Sequence, residues 1–256
     1  MAEGAIRTGA VIEQLLARGY VLVESLLDAR LLSELNAEVM RASRAREDEI
    51  RRLPGYRMGH VKLGLGARNE PLWQRLVETG LVEALTRQFG FGRVMARGNL
   101  NLPGSIRQVF HRDGLDGALI VNVPLVDVTD NGPIELVSGP LGARIDTREF
   151  VLGGLRRRGV RVSSRVGDVL VRARAGWHRG TENRSAVARA MVGFRLTAGE
   201  GAGENGLEQV GFTGEIEFQG NVYPVGLYGR AQERFDAAFP GFSENAKHAL
   251  RFALNR

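Results

Sequence analysis

The sequence predicts a mainly β protein with flanking helices, and three observations lead to that fold class. Residues 1–92 carry helical spacings and caps, whereas residues 93–225 consist of short apolar or alternating runs separated by turn residues. Such closely spaced short strands are typical of an antiparallel sandwich or barrel, not of parallel β-α-β units. The chain also has no internal repeat, linker or low-complexity tract. We therefore expect one domain over residues 1–256, in which residues 226–256 add two short C-terminal helices.

The N-terminal helices are predicted from capping and breaking residues. Thr8 and Asp28 are favourable N-cap residues, and Gly19 is typical of a helix C-terminus. These signals predict a helix from Thr8 to Gly19, a strand over 20–23, a helix from Asp28 into the charged segment 44–52, a break at Pro54-Gly55 and a helical stretch from Pro71 to Leu85. We expect these helices to buttress the β core and to supply walls of a pocket.

The β core is predicted from short runs of β-branched and other apolar residues. The predicted strands cover 94–101, 106–113, 118–123, 134–137, 168–172 and 188–196, followed by a hairpin over 215–225 that turns at Gln219-Gly220-Asn221 and by helices over 231–238 and 244–254. In the last long strand, alternation places Arg189, Met191 and Gly193 on the face opposite to Ala190 and Val192.

Composition excludes several classes of protein. The chain has no cysteine, so disulfides, thiolate catalysis and cysteine-ligated zinc or iron–sulfur sites are excluded. No apolar run is long enough to cross a bilayer, and the N-terminal residues lack the apolar core of a secretory signal. We therefore expect a cytoplasmic protein that does not interact with a membrane.

The positive net charge is explained by a bias toward arginine. The formal charge is +6, and Lys62 and Lys247 are the only lysines. The densest basic cluster, Arg156, Arg157 and Arg158, has no interleaved aromatic residues, whereas nucleic-acid grooves combine the two. We interpret the cluster as a solvated loop or sheet edge, and we expect a small-molecule substrate and no nucleic-acid partner.

Two histidines and a carboxylate form a candidate metal site. His111 and Asp113 are two residues apart on a predicted strand, so their side chains share a face, and His178 follows a later strand. Two histidines with one carboxylate make the facial triad that holds Fe(II) and leaves coordination positions open. Arg189 lies on the strand after His178 and is suited to bind a carboxylate through its guanidinium fork, with Arg195 on the same face as a rival.

Several motifs resemble those of the phytanoyl-CoA dioxygenase family. They are Gln108-Val-Phe-His111-Arg-Asp113, Val123-Pro-Leu-Val-Asp-Val-Thr-Asp-Asn131-Gly132-Pro133, Gly167-Asp168 and His178-Arg-Gly-Thr-Glu-Asn183-Arg-Ser185, with Arg189 after them. They occur in the family's order and cover roughly residues 93–196. As a set they are far more specific than any single motif.

The resemblance implies a fold, an activity and a set of site residues. The fold is a cupin-like double-stranded β-helix, or jelly roll. The family's enzymes are Fe(II)- and 2-oxoglutarate-dependent oxygenases that consume O2. His111, Asp113 and His178 are then the iron ligands, and Arg189 pairs with the distal carboxylate of 2-oxoglutarate.

Two further residues are implied to contact the cosubstrate, and one expected contact is missing. Gln108 matches a position that often hydrogen-bonds 2-oxoglutarate, and Asn122 lies near another such position. Gly180 stands where a small hydroxyl residue frequently contacts the cosubstrate, so Thr181 is the candidate replacement. The family's retained carboxylate, here Asp113, favours hydroxylation, cyclisation, desaturation or epimerisation over halogenation.

Two other classes of protein remain compatible with the same residues. One is a non-catalytic jelly roll that binds an anionic small molecule, with structural histidines. The other is a metal-dependent isomerase or hydrolase of cupin type that uses the same three ligands. His60 and Lys62 are either pocket-lining or structural residues, and His248 is expected on a helix surface.

Overall fold

The structure is a computed structural model that describes residues 8–108, 110–114, 117–129, 132–143, 159–199 and 207–220. Its helices are α1 (Thr8–Arg18), α2 (Ala29–Ala45), α3 (Glu47–Arg52), α4 (Asn69–Glu78) and α5 (Leu81–Phe89), with short 3-10 turns at Tyr56–Met58 and Gly66–Arg68. No helix in these ranges is long and apolar enough to cross a membrane.

The strands form two sheets. They are β1 (Tyr20–Val23), β2 (His60–Gly64), β3 (Arg93–Asn101), β4 (Leu119–Pro124), β5 (Ile134–Leu136), β6 (Val160–Val162), β7 (Val169–Ala173), β8 (His178–Gly180), β9 (Arg189–Thr197), β10 (Glu208–Val210) and β11 (Glu217–Gln219). The large sheet has the order β1-β7-β4-β9-β3-β2-β11, with β10 also paired to β3, and the small sheet has the order β6-β5-β8. Apart from the parallel pair of β10 with β3, the described pairs are antiparallel.

Two of the three predicted helix-end residues, Asp28 and Gly19, make the expected hydrogen bonds, and Thr8 is the first residue of α1. The side chain of Asp28 accepts a hydrogen bond from the backbone N–H of Arg30 at 2.8 Å, which caps α2. Gly19, with φ of 73°, donates its N–H to the carbonyl of Leu15 at the end of α1. The stretch predicted from Pro71 is divided into α4 and α5, because Gly80 between them adopts a left-handed conformation with φ of 77°.

One face of the large sheet packs against the helices and forms the core. In β9, Ala190, Val192, Phe194 and Leu196 are buried in that core, and Phe194 contacts Trp73 of α4 at a ring-centroid distance of 5.2 Å. Arg189, Met191, Gly193 and Arg195 alternate with them and therefore point to the other face. The predicted alternation is confirmed, and the sheet presents its polar face to a cavity.

Two predicted β elements differ from the structure. The predicted strand over 106–113 is wrong as a continuous strand: among its described residues, 106–108 and 110–113, only His111 forms a bridge, to His178. In the predicted hairpin over 215–225, residues Glu217–Gln219 form a strand, but they pair with His60–Gly64. The rest of that hairpin, the helices predicted over 231–238 and 244–254, and the cluster Arg156 to Arg158 lie outside the described residues.

Candidate metal centre

His111, Asp113 and His178 come together at one end of the polar face. Their candidate ligand atoms all lie within 4.8 Å of one another. The Nε2 atom of His178 is 3.3 Å from Oδ2 of Asp113, and Nε2 of His111 is 3.7 Å from Oδ1 of the same carboxylate. Two imidazoles and a carboxylate at this spacing match the donor set of a facial triad.

The backbone fixes the two histidines to each other. The N–H of His111 donates to the carbonyl of His178 at 2.9 Å, and the N–H of His178 donates back at 3.0 Å. Gln108, three residues before His111, donates to the carbonyl of Gly180, which is only two residues after His178. One strand of this pairing thus holds an extra residue, as in a β-bulge, and bulges are common next to active sites. This irregularity explains why the predicted strand over 106–113 is interrupted.

The ring of His178 is oriented so that Nε2 faces the other two side chains. Its Nδ1 lies 3.0 Å from the carbonyl oxygen of Gly176, which only accepts hydrogen bonds, so the proton is assigned to Nδ1. Burial, followed by the charge of Arg172, lowers the pKa of His178 to about 4. His178 is therefore neutral near pH 7 and presents an unprotonated Nε2, as a metal ligand requires.

Arg172 is a site residue that the sequence reasoning missed. Its guanidinium donates from Nη2 to Oδ2 of Asp113 at 2.8 Å and from Nε to Oδ1 of Asn122 at 3.1 Å. Only 6% of Arg172 is exposed. A buried cation needs such partners, and an arginine within the apolar strand that precedes His178 was the available signal.

The charge state of Asp113 follows from its neighbours. Burial raises the pKa of the Asp113 carboxyl, but the His178 ring, 3.3 Å away, and the charge of Arg172 outweigh burial. Together they hold the pKa well below its usual range. Because Arg172 already binds Oδ2, the other oxygen, Oδ1, is the better placed of the two to bind a metal ion.

Arg189 begins β9 and is 6% exposed. Burial lowers its pKa to about 10, so it remains protonated near pH 7. A methyl group added at Gly132 would lie 2.4 Å from its Nη1 atom, and one added at Gly180 would lie 3.8 Å from its Nη2 atom. Glycine at both positions therefore leaves room around the guanidinium, on the side of His178.

The other predicted cosubstrate residues have structural partners. The side-chain oxygen of Gln108 accepts a hydrogen bond from the N–H of Gly180 at 2.9 Å, beside Arg189. Asn122 contacts Arg172 and so reaches Asp113 only indirectly. The hydroxyl of Thr181, the candidate replacement at Gly180, is buried and donates to the carbonyl of Pro133 at 2.6 Å.

A cavity of about 410 Å³ covers the polar face of the large sheet. Its lining includes Asp113 and Arg172 at the triad and, farther along the sheet, Lys62, Arg97 and Arg195. His60 is outside this lining, two residues before Lys62 on β2. Its Nε2 is 2.9 Å from the carbonyl oxygen of Ile106. The candidate metal site therefore lies beside a space large enough for a small molecule.

The fold matches solved structures of non-heme enzymes. SnoK, a non-heme alpha ketoglutarate dependent carbocyclase from nogalamycin biosynthesis, has a TM-score of 0.57 at 20% identity, over 82% of this chain and 95% of that chain. The epimerase SnoN in complex with Fe3+, alpha ketoglutarate and nogalamycin RO has a TM-score of 0.57 at 20% identity, over 75% and 84%. HygX from Streptomyces hygroscopicus, with nickel and 2-oxoglutarate bound, has a TM-score of 0.56 at 14% identity, over 73% and 86%.

These likenesses establish the fold: the chain has the architecture of enzymes that use a non-heme metal and 2-oxoglutarate. No protein-family profile and no curated protein sequence matches the chain.

Proposed function

We propose that this protein is an Fe(II)- and 2-oxoglutarate-dependent dioxygenase that oxidises a small molecule and releases succinate and CO2. The observation that carries the proposal is the cluster of His111, Asp113 and His178 at the end of a cavity. The shared fold with SnoK, SnoN and HygX supports it.

We also infer a double-stranded β-helix, as in the phytanoyl-CoA dioxygenase family. From β3 onward the chain passes between the sheets in turn: β3 is in the large sheet, Gln108 and His111 border β8 of the small one, and β4 returns to the large one. Strands β5 and β6 then lie in the small sheet, β7 in the large sheet, β8 in the small sheet and β9 in the large sheet. Alternation between two sheets is the topology expected of a jelly roll.

Each site residue has a proposed task. His111, Asp113 and His178 would hold the iron, which together with 2-oxoglutarate and O2 supplies the oxidising chemistry. Arg189 would bind the distal carboxylate of 2-oxoglutarate as a bidentate cation. Because the side-chain oxygen of Gln108 is bound by Gly180, its amide N–H2 is the group that would donate to the cosubstrate.

The class of reaction is narrowed by Asp113. Related halogenases carry a small residue in its place, which opens a position for chloride. A carboxylate there favours hydroxylation, or a cyclisation, desaturation or epimerisation. The neighbours named as a carbocyclase and an epimerase are consistent with this range of outcomes.

Anaerobic titration tests the proposal directly. We expect Fe(II) and 2-oxoglutarate added together to give a metal-to-ligand charge-transfer absorption band, and His111→Ala to abolish it. Arg189→Ala should raise the 2-oxoglutarate concentration required by about 100-fold, since it removes charge-assisted hydrogen bonds, while iron binding persists. Arg195→Ala is the matched control on the same strand face.

Other outcomes favour the alternative classes. Iron binding without any band on addition of 2-oxoglutarate would favour a cupin-type isomerase or hydrolase. No metal binding, together with an unchanged His111→Ala variant, would favour a non-catalytic binding protein. An effect of Arg195→Ala as large as that of Arg189→Ala would assign the carboxylate contact to Arg195.

A further inference from the structure

We propose that Lys62 and Arg97 form an anion subsite in the cavity, and that the primary substrate carries a carboxylate or phosphate group that binds there. This inference deepens the proposed oxygenase function and rests on it. It concerns a part of the cavity that neither the metal ligands nor Arg189 occupies.

Lys62 and Arg97 lie on adjacent strands and face the same cavity. Lys62 of β2 pairs in register with Asn99 of β3, and Arg97 is two residues earlier on β3, on the same face. Burial, followed by the charge of Arg97, lowers the pKa of Lys62. The fold thus holds two cations close enough to repel each other.

These two cations are poorly neutralised by the protein. Among the described residues, neither Lys62 nor Arg97 forms an ion pair with a carboxylate. Three carboxylates from the described part of the chain line the cavity, and two of them are taken: Asp113 pairs with Arg172 at 2.8 Å and Glu215 with Arg68 at 3.0 Å.

The third carboxylate, Glu217, is insufficient to balance both cations. It lies opposite Gly64 in the register of β11 with β2, while the neutral Gln219 lies opposite Lys62. Among the described residues, one of the two positive charges is left over even if Glu217 is counted in full. An anionic ligand would supply the missing charge.

The path from this subsite to the metal centre runs over the sheet. Arg97 is opposite Gly193 of β9, and Gly193 is opposite Asn122 of β4, which contacts Arg172 beside Asp113. Gly193 has no side chain to block this path: an added methyl would lie 3.4 Å from the Asn122 amide nitrogen and 3.1 Å from the Arg97 carbonyl. Gly193 therefore leaves the cavity-facing surface of the sheet open between the two cations and the triad.

The spacing defines the kind of substrate. Arg97 and Asn122 are separated by two strand intervals, or roughly 10 Å. A substrate bound by its anionic group at Lys62 and Arg97 would present a carbon at about this distance to the metal centre. Arg97 offers a planar fork and Lys62 a point charge, a combination that suits a carboxylate or a phosphate.

Isothermal titration with small anionic probes tests the subsite. Phenyl phosphate and benzoate are titrated into the protein loaded anaerobically with Fe(II) and excess 2-oxoglutarate, so that Arg189 is already engaged. We expect saturable binding of at least one probe, which identifies the preferred anion. Lys62→Gln and Arg97→Gln should each weaken that binding about tenfold, because each removes a charge-assisted contact.

Two controls separate a specific subsite from general electrostatics. Arg30→Gln removes the same charge from the exposed surface of α2, and benzamide is the neutral counterpart of benzoate. The subsite is overturned if neither probe binds saturably, if either cavity variant weakens binding less than about fivefold, or if Arg30→Gln or benzamide reproduces the effect. Thermal unfolding of each variant verifies that it is folded.

Failure of the oxygenase proposal gives a different signal. It appears as a missing charge-transfer band, and the probes are then titrated into the metal-free protein. If the metal-free protein binds a probe and Lys62→Gln and Arg97→Gln lose that binding, the anion subsite is supported and the oxygenase function is rejected. A normal charge-transfer band with unchanged probe binding in both variants would support the oxygenase function and reject the anion subsite.

Discussion

Arg172 ties the carboxylate of the candidate metal centre to the sheet. Its guanidinium binds Asp113 with one nitrogen and Asn122 with another, and it is almost fully buried. The contact with Asn122 holds the guanidinium in place, so its hydrogen bond to Oδ2 orients the Asp113 carboxylate. Partners of this kind orient metal ligands, although the positive charge of Arg172 also opposes the binding of a cation.

Replacing Arg172 tests which of the two effects dominates. We expect Arg172→Met to weaken Fe(II) binding by about 10-fold to 100-fold, because loss of orientation outweighs relief of charge repulsion. Competition with a metal-binding dye measures the dissociation constant. Arg30→Met, which removes an exposed arginine of α2, is the matched control. Tighter iron binding in Arg172→Met would mean that repulsion dominates.

At the scale of residues, the sequence predicted which side chains gather but not what orients them. His111, Asp113 and His178 were found because few residue types bind metals and their spacing on strands is informative. Arg189 was assigned to the correct face by alternation alone. Arg172 was missed because its partner Asp113 is 59 residues away, and no local pattern reports a contact at that distance.

At the scale of elements, an ion pair joins the segment before His111 to the loop after β8. Arg107 donates from Nε and Nη2 to the two carboxylate oxygens of Glu182, at 2.8 and 2.9 Å. Glu182 follows β8, and Arg107 precedes the bulge. The pair therefore fastens the loop after β8 to the segment that carries His111.

This ion pair makes stability depend on pH. The hydrogen bond from Arg107 lowers the pKa of Glu182 from 4.5 to about 2. A lowered folded-state pKa contributes stability above about pH 4.5, and that stability is lost as the pH falls toward 2. We expect metal-free wild-type protein to lose about 1 kcal/mol more than Glu182→Gln across this window, after solvent screening is allowed for.

Urea unfolding at pH 7 and at pH 3 measures the difference. Glu49→Gln is the comparison variant. Like Glu182, Glu49 is bound by an arginine, but its ion pair with Arg46 lies on the exposed side of α3. A pH dependence of Glu182→Gln equal to that of the wild type would contradict the assignment.

The elements show where local patterns stop being sufficient. Helix starts such as Asp28 were predicted because a cap is a local interaction. The bulge near His111 was not, because it depends on the register with β8. Strands β6 and β10 have only three residues each, which is too short for an alternation to be recognised.

In the molecule as a whole, a cluster of aromatic rings joins helix α4 to the sheet. The fully buried Phe194 of β9 lies 5.2 Å from the Trp73 ring and 6.0 Å from that of Phe212, between β10 and β11. Helix α4, the central strand and the late segment thus share a single cluster. The opposite face of the same strand forms the cavity.

Truncation of this ring should therefore destabilise the entire fold. We expect Phe194→Ala to lower the free energy of unfolding by about 3–5 kcal/mol, since it removes buried apolar surface and leaves a hole. Phe194→Leu should cost much less, because it keeps most of the volume. Urea denaturation followed by tryptophan fluorescence measures both. A loss below about 1 kcal/mol for the alanine variant would show that the cluster rearranges to fill the hole.

The edge of the large sheet has a consequence for how the chain folds. Strand β11 is laid on β2, so that Phe218 pairs with Leu63, and β10 is laid on the start of β3. Contacts between segments so far apart in the chain require a large loop to close before they contribute, which makes them slow to form. We therefore expect the wall that carries Lys62 and Arg97 to form late in folding. Until then β2 has an unpaired edge, and a newly made chain is exposed to association with its neighbours through that edge.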